Sequence, residues 1–217
     1  TSAEALRFHI DSGHAAHVLL ERARAAHADL IVLGPHKKRG GIDFGGTARG
    51  VLAHAPRGVW MQPERPRAVK RILVPVDLSE TSLGALALAR DLALRLDARL
   101  TAVQAFLPPT LGAVFPSSEV AAPGYVVEHL LRAERDQFEG AMQSFDWRGV
   151  PHATRFEQGE PAEVALELQG DHDLIVMGTH GRTGLSAALL GSVAHHVLRA
   201  AHVPVMAVRQ VKGTYLI

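Results

Sequence analysis

Four glycines fall within fifteen residues in GTHGRTGLSAALLGS (178–192): Gly178, Gly181, Gly184 and Gly191. Glycine inside regular structure costs roughly 0.5–1 kcal/mol against alanine, so this density marks a place that needs bare backbone. The run follows the apolar segment Leu174-Ile175-Val176-Met177. It leads into Leu190, Val193, Ala194, Val197 and Ala201, which recur at helical spacing. A glycine-rich loop between strand and helix brings backbone N–H groups up to a ligand without Cβ interference. The helix N-terminus adds about half a positive charge. Together they suit a phosphate, with Ser192 supplying a hydroxyl. No Gly-Lys-Ser/Thr closes the loop and the spacing is not G-x-G-x-x-G, so neither the P-loop nor the dinucleotide fingerprint applies.

Thirteen histidines raise the question of a metal. His14 and His17 share a helical face, whereas the adjacent His195 and His196 point apart. No cysteine or carboxylate joins them at zinc spacing, so they read as solvated or capping residues. His180 sits inside the glycine loop and reads as a backbone or phosphate contact rather than a catalytic group. Asp77 ends the apolar run RILVPVD (71–77) and stands beside Ser79, a candidate helix N-cap. Capping alone would also account for Asp77.

The elements that must position these residues alternate. RILVPVD reads as a buried strand, and Ala85, Leu88, Ala89, Leu92, Ala93 and Leu96 as the helix after it. ARLTAVQAF (98–106) is a second strand, followed by a proline-rich loop, 107–124. Val127, Leu131, Phe138, Met142 and Phe145 mark a second helix, and ATRFEQG (153–159) a third strand. Pro161 opens a third helix. DLIVMG, the helix after the glycines and PVMAVR (204–209) complete the series. Alternating strands and helices predict a parallel sheet covered on both faces, with ligands at the carboxyl ends where strand order reverses.

The chain repeats itself. ADLIVLG (28–34) matches HDLIVMG (172–178), and GVLAHAPRGVWM (50–61) matches HVLRAAHVPVMA (196–207). The second copy reaches back to about Lys70, whereas the first begins at its own middle, and QPERPRA (62–68) links them. A net charge of +1 gives no global field for nucleic acid, and the absence of cysteine excludes thiolate chemistry. No apolar run approaches 18 residues and no signal peptide is found, so the expected address is cytoplasmic, with no membrane partner.

The pattern Gly-x2-Gly-x9-Gly-Ser follows a DLIVMG strand and precedes AxxVLRxAxxPVMxVR. Together with ILVPVDLSE (72–80), it resembles the universal stress protein family. The resemblance covers 70–210 as a complete domain and 5–61 as the second half of another. It implies a tandem protein divided at 1–66 and 67–217. It further implies an α/β fold of open, twisted, parallel five-stranded sheets. These would be Rossmann-like, of the adenine nucleotide alpha hydrolase type, with strand order 3-2-1-4-5. The glycine pattern is that of the family's ATP-binding members.

By that resemblance Pro75, Val76, Asp77 and the backbone of Ala105 lie at the nucleoside. Gly178, His180, Gly181, Arg182, Gly191, Ser192 and Val193 lie at the phosphates. ATP, with or without Mg2+, is the implied ligand. In the first copy Lys37 stands where the second glycine is expected, so that copy reads as a structural half without a working site. The loop 178–192 holds no carboxylate and no general base is evident, so the chain reads as a nucleotide-dependent stress-response switch with little or no hydrolysis. The alternatives are a nucleotide-free interaction or chaperone-like scaffold and a slow adenine-nucleotide hydrolase. The last strand is expected at a sheet edge, where 204–209 can pair with 59–61 within the chain, and the pseudo-dimers can pair again as a homodimer.

Overall fold

A computed structural model describes residues 7–34, 45–55, 57–63, 66–108, 124–181 and 190–209. RILVP and LIVMG are short and apolar at nearly every position, which suits strands covered on both faces. They form β3 (Arg71–Pro75) and β6 (Leu174–Gly178) in the middle of the sheet. The two are parallel, with Ile72 opposite Leu174 and Leu73 opposite Ile175. Ile72, Leu73, Val74, Leu174, Ile175 and Val176 are fully buried, each contributing roughly 1.5–3 kcal/mol of transfer free energy.

β4 (Arg99–Phe106) lies beside β3, and β5 (His152–Gln158) beyond it. β7 (Val205–Val208) lies on the other side of β6. These five strands run β5-β4-β3-β6-β7, which is 3-2-1-4-5 in their own order. β1 (Leu30–Leu33) and β2 (Gly58–Met61) continue the same sheet, giving β1-β2-β7-β6-β3-β4-β5. Neighbours are parallel except β2 and β7, which are antiparallel with Val59 opposite Ala207 and Met61 opposite Val205. Two findings differ from the sequence reading. Both copies contribute to one continuous sheet rather than to separate five-stranded ones, and β7, which ends the five strands of the second copy where the sequence put an edge, is covered there by β2 at 59–61 and so lies inside the combined sheet. Among the described strands the edges are β1 and β5.

Period-two alternation splits the core. Leu73, Val103 and Ile175 face α1 (Ala15–Ala25), α2 (Gly46–His54), α5 (Pro161–Leu168) and α6 (Ser192–Ala200). Ile72, Val74 and Val176 face α3 (Glu80–Leu96) and α4 (Gly124–Ser144), where Phe138 and Met142 are buried. Ser79 N-caps α3, its Oγ accepting the Ser82 N–H at 3.2 Å, and Pro161 opens α5. At the amino ends of β3 and β6, Asp173 Oδ2 accepts the Lys70 and Arg71 N–H groups at 3.0 and 2.9 Å, and its Oδ1 accepts Arg71 Nη2 at 3.0 Å. Burial alone would raise the Asp173 carboxyl. The bonds from the Arg71 side chain and the two backbone amides outweigh that and hold it below its usual value. No described helix is long and apolar enough to cross a membrane.

Candidate functional site

After β3 the chain turns onto the α3 face of the sheet, and after β6 it turns onto the α6 face. The two adjacent strands therefore send their connections to opposite sides, which opens a crevice beyond their carboxyl ends. A cavity of about 300 Å³ occupies this place. Pro75, Val76 and Asp77 line it from the end of β3, Ala105 from β4, and Gly178, His180 and Gly181 from the end of β6. Gly191, Ser192 and Val193 line it from the start of α6. Ten of the eleven site residues read from the sequence thus meet in one cleft. The eleventh, Arg182, lies outside the described residues, as do Lys37 in the first copy and most of the proline-rich loop.

The glycines are there for room. None of Gly178, Gly181 and Gly191 has a positive φ. A Cβ on Gly181 would stand 2.5 Å from Asp77 Oδ2, and one on Gly191 3.1 Å from the Thr179 carbonyl oxygen. One on Gly178 would stand 2.9 Å from Thr81 Cγ2. Strand end, glycine loop and α3 start are therefore closely packed: a side chain at Gly181 would push on Asp77 in the cleft wall, one at Gly178 would press on Thr81, and one at Gly191 would sit tightly against the Thr179 carbonyl.

Asp77 does not cap α3 directly, because Ser79 does. Asp77 instead braces the cap: its Oδ1 accepts the Ser79 N–H at 3.0 Å and the Ser79 hydroxyl at 2.6 Å. Between them Leu78 has φ 62°, a left-handed conformation that costs a non-glycine residue roughly 1–2 kcal/mol. The turn thereby holds the carboxylate over Gly181. Across the cleft, the Gly191 N–H donates to the Thr179 carbonyl at 2.8 Å, and the Thr179 N–H to Val208 at 2.9 Å. These two bonds fix the start of α6 against the end of β6. Helix geometry leaves the first N–H groups of α6 without intrahelical acceptors, and Ser192, Val193 and Ala194, which carry them, border the cavity.

The base of the cleft is apolar. Val103, Val164 and Met177 line it with Pro161; the sequence reading placed none of these at the site, giving Pro161 and Met177 only structural places in a helix and a strand. Ser82 and Thr179 were missed too. Thr179 lies between two glycine-loop positions, so its spacing pointed to it. Val164 and Pro161 come from α5, which only the three-dimensional arrangement brings across β4. The Val76 N–H donates to the Val103 carbonyl at 2.8 Å, and the Gly159 N–H to the Phe106 carbonyl at 3.0 Å. Alternate residues of β4 therefore address β3 and β5 in turn. The next residue to turn its N–H and C=O toward the β3 side is Ala105, beyond the last β3 rung. The wall there is a donor and an acceptor side by side.

Asp77 is the one carboxylate among the described residues that line the cavity, and no lysine or arginine lines it among them. Positive potential at the glycine end comes from backbone amides and the α6 dipole. No group of three or more histidines, aspartates or glutamates that could hold a metal occurs among the described residues.

The sequence profile of the Universal stress protein family matches residues 2–63 and 68–209. A universal stress protein of Methanocaldococcus jannaschii is 35% identical over 149 residues, covering 66% of this chain and 84% of the relative. One from Mycobacterium bovis is 31% identical over 196 residues, covering 84% of this chain but 62% of the relative's length. Among solved structures, the universal stress protein UspA from Lactobacillus plantarum aligns with a TM-score of 0.57 at 25% identity, over 66% of this chain and all of that one. A Pseudomonas aeruginosa structure aligns with a TM-score of 0.66 over 92% of this chain and 69% of that one; at 22% identity it speaks to the fold alone. With both copies matched by the profile, the chain belongs to the universal stress protein family.

Proposed function

We propose that the cleft between β3 and β6 binds ATP, and that this chain acts as a nucleotide-dependent switch with little or no turnover. The observation that carries the reading is the convergence of Gly178, Gly181 and Gly191, where a Cβ would collide at the first two and be tightly confined at the third, beside the N-terminus of α6. Such a cradle offers N–H donors to phosphate oxygens and excludes side chains from their path.

The opposite end fits a nucleoside. Pro75, Val76, Val103 and Val164 give a base two apolar walls. The paired donor and acceptor of Ala105 match the acceptor and donor on the Watson–Crick edge of adenine. Asp77, an acceptor with a second oxygen turned to Gly181, suits ribose hydroxyls. It would repel phosphate, which orients the ligand with its charge toward α6. Hydrolysis needs a positioned water and stabilisation of charge on the γ-phosphate, and none of the described lining residues is placed as a general base. Mg2+ would enter with the phosphates rather than through a built protein site.

The domain division at 1–66 and 67–217 belongs to the same reading. The first copy serves as a structural half that covers β7, and homodimers form from the assembled chain. The chain spans 62% of the mycobacterial relative, so the activity of any longer protein lies with the whole.

The test is to denature purified protein, quantify released nucleotide by mass spectrometry and titrate stripped protein with ATP by calorimetry. About one adenine nucleotide per chain supports the reading. No nucleotide, and no heat on adding Mg-ATP, overturns it in favour of a scaffold. Steady phosphate release would instead make the chain a slow hydrolase.

A further inference from the structure

Two side-chain atoms among the described residues are buried without a hydrogen-bond partner, His180 Nε2 and Gln104 Oε1. The orphan nitrogen of His180 borders the cleft, with its Nδ1 2.9 Å from the Thr179 hydroxyl oxygen, and belongs to the site already described. Gln104 is not among the residues that line the cleft. It is 3% exposed and lies on β4 with the parity of Leu100 and Ala102, which face α3 and α4. There its Nε2 donates to Glu134 Oε2 on α4 at 2.9 Å. Glu134 fixes which end of the amide is which, because the reversed amide would set two oxygens against each other. The oxygen is therefore the end left without a donor. A buried acceptor in that state costs stability and is rare in folded proteins. Leucine would fill the same place without that cost, so the question is what the amide supplies.

The backbone on either side of Gln104 answers it. The Val103 carbonyl accepts the Val76 N–H at 2.8 Å, which is the last rung toward β3. Ala105, one residue past Gln104, turns its N–H and C=O to that side where no strand lies beside them. On the far side β4 is still held, with Gln104 opposite Phe156 and Ala105 opposite Glu157. The end of β4 that carries the Ala105 pair is thus tied along one edge only, to a strand that is itself at the edge of the sheet. The bond from Gln104 to Glu134 adds a second tie, across the face of the sheet to α4. That support is firm: Phe138, one helical turn beyond Glu134, is 1% exposed in the core.

Resting on the nucleotide reading above, we propose that Gln104 is a positioning residue for adenine recognition. Bonded to Glu134, it holds the Ala105 N–H and C=O at the base edge and touches no ligand itself. Its donor must face α4 for this, which leaves its oxygen in the core. Stability and binding therefore pull in opposite directions at this one position.

The experiment measures calorimetric affinities for ATP, adenosine and inorganic tripolyphosphate with the full chain, for wild type, Gln104→Leu, Glu134→Ala and Glu134→Gln. A circular dichroism melt of each keeps misfolding separate from lost contacts. Gln104→Leu removes the orphan oxygen and the tie together. It should melt no lower than wild type, yet bind ATP and adenosine about tenfold more weakly, the order of one hydrogen bond held out of line. Tripolyphosphate affinity should not change, since the glycine cradle belongs to β6 and α6. Glu134→Ala should show the same selective loss, and Glu134→Gln, which keeps an acceptor for Nε2, should restore it. ATP affinity unchanged in Gln104→Leu, or equal losses for adenosine and tripolyphosphate, overturn the proposal while leaving the nucleotide site standing. A selective loss in Gln104→Leu that Glu134→Ala does not share overturns it as well. Wild type that binds none of the three ligands removes the nucleotide reading itself.

Discussion

At the scale of single residues, the cleft is governed by space. Gly181 has an ordinary φ, and only the proximity of Asp77 Oδ2 forbids a side chain there. Gly181→Ala should therefore leave the melting temperature within about 2 °C of wild type, because a carboxylate tip can swing aside. The swung carboxylate intrudes on the cleft, so ATP affinity should fall at least about tenfold, or roughly 1.4 kcal/mol. Gly191→Asp adds a negative charge at the start of α6 and should abolish binding measured by calorimetry. ATP affinity surviving both changes would show the site to be elsewhere. The glycine spacing was legible in the sequence because its pattern survives without knowledge of the fold. The orphan nitrogen of His180 was not legible. It depends on how Thr179 turns the ring, and a string of letters carries no χ angles.

At the scale of elements, two junctions can be tested. Asp173 ties the amino ends of β3 and β6 together, and its carboxyl is held below its usual value. A group depressed in the folded state contributes stability above its unfolded value, about 3.9, and loses it as pH falls through the folded value. Melting temperatures from pH 7 to pH 2 should therefore show Asp173→Asn less stable than wild type at neutral pH, with the gap closing below about pH 4. A gap independent of pH would remove the carboxylate from the account.

The second junction is the crossing of α1 and α2, where a Cβ on Gly50 would stand 2.8 Å from the Ala16 Cβ. Overpacking costs about 1–3 kcal/mol, which exceeds the gain in helix propensity of up to about 1 kcal/mol. Gly50→Ala should lower the melting temperature by about 2–4 °C. A rise would mean that the helices separate freely. Helix and strand identities were readable from periodicity, Ser79 and Pro161. The helix crossing was not, since Gly50 looks like any small residue inside a helical run.

At the scale of the whole molecule, the antiparallel seam between β2 and β7 joins the copies. Val59, 2% exposed, lies in that seam opposite Ala207, and the Arg209 guanidinium donates to the Ala53 carbonyl at the end of α2. Val59→Asp buries a charge without a partner, at a cost of about 3–5 kcal/mol. Amide hydrogen exchange across 58–61 and 205–208 should accelerate together. ATP binding in the β3–β6 cleft should persist if 68–209 holds its fold alone, and loss of binding would show that the cleft depends on the seam. The repeat made the two copies visible in the sequence. It also offered 59–61 and 204–209 as strands able to pair. What it left open was the antiparallel alignment that merges the two copies into one sheet, which depends on how the covering helices pack.

The seam also sets an order of events in time. β2 ends at Met61 and its partner begins at Val205, so a ribosome must add roughly 145 more residues before the two can meet. At about 5–20 residues per second, that is roughly 7–30 s of synthesis. Throughout it Val59, Trp60 and Met61, even when paired with β1, present one open strand edge to whatever else is nearby. That edge is thus most vulnerable to wrong partners before β7 emerges, and slowing translation of 62–204 should increase the nascent chain's dependence on chaperones without altering the finished fold.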